Sequence, residues 1–109
     1  MSVAFIPEIL EYFEELMVIL YEKDYFSFED SARKYVIELV HDIKETLPIH
    51  LHKPAPPYFY IYGKNMKYAT FPKNRRTTWY VFFTVYWKND EKIYLVRYIA
   101  NNHIIAQHL

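Results

Sequence analysis

At 109 residues, 52% of them apolar and 20% aromatic, the chain is long enough for one packed domain spanning 1–109 and far too apolar to stay disordered. A single glycine and no cysteine exclude glycine-rich nucleotide loops, disulfides, thiolate nucleophiles and cysteine-ligated metals. The net charge is zero, but residues 1–48 carry eleven acidic and four basic side chains (net −7), and residues 49–109 carry two acidic and nine basic (net +7).

Residues 3–6 form a short apolar run closed by Pro7, which predicts a brief strand or arm. Pro7 suits the first position of a helix, where no N–H is needed. Apolar residues then recur at Ile9, Phe13, Leu16, Met17 and Leu20, the spacing of one helical face. Glu8, Glu11, Glu14 and Glu15 fall in the early turns, where the helix dipole favours anions. Residues 21–26 read as a connector. Ser27-Phe28-Glu29-Asp30 is a variant of the capping box and starts a second helix. Its stripe runs through Phe28, Ala32, Tyr35, Val36, Leu39, Val40, Ile43 and Leu47 to Pro48, which stops it. Two such helices on a short connector are expected to pack as an antiparallel hairpin.

After Pro48 the composition changes. Residues 49–57 hold three of the six prolines and read as an irregular crossing. Residues 58–62, 67–71, 77–87 and 92–99 are rich in Tyr, Phe, Val, Thr and Ile and are expected to be strands, with a short fifth at 103–107. Gly63-Lys64-Asn65 and Asn89-Asp90-Glu91 are predicted turns. Helices first and consecutive antiparallel strands later make an α+β domain. The N-terminus lacks a basic region before its apolar run, and no apolar run approaches the ~18 residues of a membrane span. A cytoplasmic protein with no membrane association is expected.

Between Lys53 and Arg76 there are six basic residues and no acidic one. Segregated positive charge suits a polyanionic partner, since its field persists locally within a Debye length of ~8 Å. Within it, Lys73-Asn74-Arg75-Arg76 precedes the longest strand. Guanidinium forks bind phosphate bidentately and stabilise charge building on phosphorus; a basic loop also blunts a sheet edge. His103 is a candidate general acid or base, because histidine ordinarily titrates near ~6.5. Asn101 and Asn102 are positioned to orient it or a phosphate, or else to form a polar turn in which His103 caps or packs. Arg97 is expected on a concave face beside Arg75 or Arg76, or in solvent. Of Trp79, Tyr80, Tyr86 and Trp87, alternation sends half to the core and leaves the others for base stacking or a protein partner. His50-x-His52 lacks a carboxylate or thiolate companion, so neither metal nor cofactor is assigned.

The element order, the strand Thr77-Thr78-Trp79-Tyr80-Val81-Phe82-Phe83, the strand Ile93-Tyr94-Leu95-Val96-Arg97-Tyr98-Ile99 and the terminal Asn101-Asn102-His103 resemble the RelE/ParE superfamily of bacterial type II toxins, the Bacteroides-type members above all. The resemblance covers nearly the whole chain. It implies a short strand, a helical hairpin and a curved antiparallel sheet of three to five strands. For RelE-like members it implies metal-free cleavage of mRNA on the ribosome, in which the 2′-hydroxyl attacks the adjacent phosphate, and neutralisation by a cognate antitoxin. Arg75, Arg76 and His103 are the expected catalytic residues. Lys73, Arg97, Asn101, Asn102 and Trp79 are the expected RNA or phosphate contacts. ParE-like members instead bind DNA gyrase without a nuclease centre. Overall neutrality, and the lack of Arg or Tyr after His103, keep that alternative open, along with a non-toxic interaction domain of the same fold.

Overall fold

A computed structural model describes residues 1–22 and 29–105, excluding the side chains of Ile104 and Ile105. The elements are β1 (Ser2–Phe5), α1 (Pro7–Glu22), α2 (Glu29–Thr46), β2 (Lys53–Pro54), β3 (Lys67–Pro72), β4 (Thr78–Lys88), β5 (Glu91–Asn101) and α3 (Asn102–Ile105), with 3₁₀ turns at Leu47–Ile49 and Pro57–Ile61. Residues 21–22, expected in the connector over 21–26, are instead the last two of α1; the Ser27 cap and residues 23–26 lie outside the described residues. The domain is α+β: two main helices and one open, uncurled five-stranded sheet in the order β1-β5-β4-β3-β2. The four strands after the helices are antiparallel; Asn89-Asp90-Glu91 is the expected hairpin turn, whereas Gly63-Lys64-Asn65 leads from a 3₁₀ turn into β3 and joins no two strands. β1 makes the sheet mixed by adding in parallel to β5, pairing Ser2 to Ile93 and Phe5 to Val96. The Ser2 hydroxyl hydrogen-bonds the Glu91 carboxylate and fastens that edge.

α1 and α2 pack on one sheet face with the expected stripe inward. Ile9, Phe13, Leu16, Val36, Leu39 and Ile43 are buried among Phe71, Trp79, Val81, Phe83 and Val96, while Leu20 and Val40 are half-buried against them. The Trp79 indole N–H donates to the Tyr35 hydroxyl at 2.9 Å, so the ring is buried with its polar atom satisfied. The opposite sheet face carries a second cluster: Ala55, Phe59, Met66, Phe82 and Ala100, rimmed by Tyr62, Tyr68, Tyr80 and Tyr98. The acidic side chains of α1 and α2 project outward, so the charge split in the sequence becomes an acidic helical layer on a basic sheet-and-loop layer.

Two expected strands change. Residues 58–62 are not a strand: Pro57–Ile61 is a 3₁₀ turn that packs Phe59 onto Phe82, with ring centroids 4.3 Å apart. Pro56 and Pro57 preset the backbone at its start, and Phe59 N–H closes on the Pro56 carbonyl, overriding an aromatic composition that favours strands. The short fifth strand at 103–107 is absent over 103–105, which are helical in α3; 106–107 lie outside the described residues. β5 carries a β-bulge: Phe82 pairs with Tyr98 and Phe83 with Val96, leaving Arg97 as the extra residue. The β4–β5 turn holds both Asn89 (φ 50°) and Asp90 (φ 63°) at positive φ, the type I′ geometry that matches strand twist.

The chain's one glycine sits where nothing else fits. Gly63 has φ 159°, and a Cβ there would lie 2.8 Å from Arg97 Nε. Gly63→Ala should therefore destabilise the fold by about 1–3 kcal/mol in urea denaturation, because it adds both backbone strain and a clash. A wild-type midpoint in that variant would show that the Arg97 side chain does not pass this close to the backbone.

Candidate polyanion-binding site

The β4–β5 hairpin runs the two longest strands side by side, so the start of β4 meets the end of β5. Trp79 pairs with Asn101. Just beyond that pair, Asn102 joins the two segments. Its Oδ1 accepts from Thr78 N–H at 2.9 Å, and its Nδ2 donates to the Arg76 carbonyl at 3.1 Å. Asn101 Oδ1 accepts from His103 N–H at 3.0 Å and caps α3. The His103 ring then lies with Nε2 3.5 Å from the Thr77 hydroxyl. The basic loop has its own scaffold. Asn74 Oδ1 accepts from both Arg76 N–H and Thr77 N–H at 2.9 Å, and Lys73 N–H donates to the Thr77 carbonyl at 3.0 Å. These bonds shape the loop through its backbone and leave the Arg75, Arg76 and His103 side chains exposed.

Arg75, Arg76 and His103 thus share one end of the sheet, over twenty residues apart in sequence but stitched together by Asn102. Lys73 lies beside them, its ammonium 5.3 Å from the Tyr35 ring centroid. Asn101 and Asn102 are present at the site, but the Asn101 amide oxygen and both polar atoms of the Asn102 amide are engaged by the backbone bonds above, which makes them positioning residues. Two expected contacts are corrected. Trp79 is 1% exposed and packs in the helical-face core, so it cannot stack on a base. Arg97 does not join Arg75 and Arg76: the bulge turns it toward the Pro57–Ile61 turn, where Nε donates to the Tyr62 carbonyl at 2.9 Å. Thr77 was missing from the expected site; its proximity to His103 follows only once the strand register is known.

Charge at this end is uncompensated. The two ion pairs among the described residues, Arg33–Glu29 and Lys34–Glu38, both lie within α2. None of the nine basic residues of the 49–109 half has a carboxylate partner among the described residues. Exposed cations without partners are free to neutralise an external polyanion.

His50 and His52 serve packing. His50 stacks on Phe71 with centroids 4.0 Å apart and has Nε2 3.0 Å from the Thr46 hydroxyl. His52 Nε2 donates to the Leu47 carbonyl at 2.8 Å, with its ring edge-on to Phe83. Among the described residues no three His, Asp or Glu side chains gather as metal ligands, and no helix is long and apolar enough to cross a membrane. Comparison with protein-family models, with curated proteins and with solved structures gives no match to this chain.

Proposed function

We propose that the protein is a RelE-like toxin: a metal-free endoribonuclease of the cytoplasm that cuts mRNA on the ribosome and is neutralised by a cognate antitoxin. The supporting observation is the convergence of the Lys73–Arg76 loop and His103 through Asn102, at an exposed sheet end with no internal counter-charge. In this reading the RNA 2′-oxygen attacks phosphorus, the bond to the 5′-oxygen breaks, and the products are a 2′,3′-cyclic phosphate and a 5′-hydroxyl. His103 takes the 2′-hydroxyl proton, held by the Thr77 hydroxyl, and water protonates the departing 5′-oxygen. Arg75 and Arg76 stabilise the charge that grows on the non-bridging oxygens. Lys73 contributes phosphate attraction.

RNA binding should depend steeply on salt. Neutralising Lys73, Arg75 and Arg76 together should reduce the slope of log K against log salt for single-stranded RNA by about 0.7 per lost contact, about 2 for all three. Fluorescence anisotropy at several salt concentrations measures it. An unchanged slope would remove this end of the sheet from any RNA surface.

One observation favours the second reading, a non-catalytic toxin that binds a protein such as DNA gyrase. The β4–β5 hairpin exposes Val85, Tyr86 and Trp87 in succession, with Trp87 68% exposed. Contiguous exposed apolar residues are a protein-contact feature.

A further inference from the structure

A second candidate site lies along β5, beside the Pro57–Ile61 turn. β1 covers β5 only as far as Phe5 opposite Val96, because Pro7 starts α1. The remaining stretch of β5, residues 97–101, has no strand neighbour on that side among the described residues. Instead it borders a cleft of about 440 Å³ walled by Ile6, Ile9, Tyr12, Ile61, Tyr62 and Tyr98. The Tyr62 and Tyr98 rings stack in parallel, with centroids 3.9 Å apart. Burial, reinforced by Tyr62, pushes the Tyr98 phenol up to about 12. Partial burial strengthens an ionic hydrogen bond made there relative to water.

Arg97 also lines this cleft. Its one hydrogen bond among the described residues, from Nε to the Tyr62 carbonyl, fixes the guanidinium plane and leaves its two terminal nitrogens unused. The space for that bond exists because residue 63 is glycine. No carboxylate pairs with Arg97 among the described residues, although Glu8 lines the same cleft. An aligned, half-buried guanidinium with two free donors matches a planar carboxylate. Glu8 on the same cleft opposes any anion, and a polyanion most. The isoleucine and tyrosine walls call for an apolar body around that charge.

We propose that this cleft binds an apolar peptide segment of a partner protein that carries one carboxylate, with Arg97 receiving the carboxylate and the cleft walls receiving the apolar side chains. The proposal is independent of the RNA reading and takes Arg97 out of the RNA surface.

The test is an NMR titration of the ¹⁵N-labelled full chain with acetyl-isoleucyl-glutamyl-isoleucine amide and with its glutamine counterpart. The glutamate peptide should shift the Gly63 and Tyr98 amides and bind at least about tenfold more tightly than the glutamine peptide. Arg97→Gln should erase that preference. Glu8→Gln, on the exposed first turn of α1, should tighten the glutamate peptide by removing a like charge, and it decides the matter if Arg97→Gln fails to fold. Equal affinity for the two peptides, no binding up to about 10 mM, no gain in Glu8→Gln, or shifts confined to other surfaces would overturn the proposal. So would an Arg97-dependent shift of the same amides by oligouridylate, which would return the cleft to RNA.

Discussion

Replacing His103 by alanine should lower ribosome-dependent mRNA cleavage by about 10²–10⁴-fold, the usual contribution of a positioned proton-transfer group. The fold should survive. The imidazole is exposed and touches the Thr77 hydroxyl rather than the core, and the bond that caps α3 uses the His103 backbone, which alanine keeps. A quantitative primer-extension assay against the wild type, with thermal unfolding run in parallel, reads both effects. Full cleavage by the alanine variant would take His103 out of the mechanism. Equal loss of cleavage and of melting temperature would mark it as a structural residue.

Leu39→Ala should lower the unfolding free energy by about 2–5 kcal/mol. Leu39 is 0% exposed, at the middle of the α2 stripe, in the cluster that joins both helices to β3, β4 and β5. Truncation leaves a cavity whose walls are held by two helices and a sheet, so little collapse can offset the lost contacts. Chemical denaturation gives the value. A change under about 0.5 kcal/mol, the range of surface substitutions, would mean that the helices do not seal this face.

Much of this fold is legible in the chain because the periodic segments are long. The helical stripe of Ile9, Phe13 and Leu16, and of Val36, Leu39 and Ile43, points inward as its spacing requires. The Asn89–Asp90 turn supplies the two positive-φ residues of a tight hairpin. What escaped the chain reading is set by long-range pairing. A 3₁₀ turn replaced the expected strand at 58–62 because prolines and the Phe59–Phe82 contact outweigh composition. The parallel β1–β5 pairing has no local signature.

The candidate site divides the same way. That Arg76 and His103 approach each other follows from the hairpin alone. The detail does not, because of the bulge at Arg97. Regular counting out from the turn would pair Trp79 with Ala100, whereas the observed partner is Asn101. A one-residue slip exchanges the two faces of a strand. Arg97, expected either beside Arg75 or Arg76 or in solvent, lies instead against Tyr62. Trp79 was expected as a surface ring for a related reason. Alternation assigns residues to two faces, but only the tertiary fold reveals that both faces are covered, one by the helices and the other by the Phe59 turn.

Induced expression of the full chain, with transcriptome-wide mapping of mRNA 5′ ends, tests the central claim most directly. The RNA reading predicts growth arrest with new 5′-hydroxyl ends inside translated mRNAs, and both should vanish in the combined Arg75→Ala, Arg76→Ala and His103→Ala variant. Growth arrest with DNA breaks and intact mRNA would contradict it in favour of a gyrase-type target, and normal growth with intact mRNA would contradict any toxin.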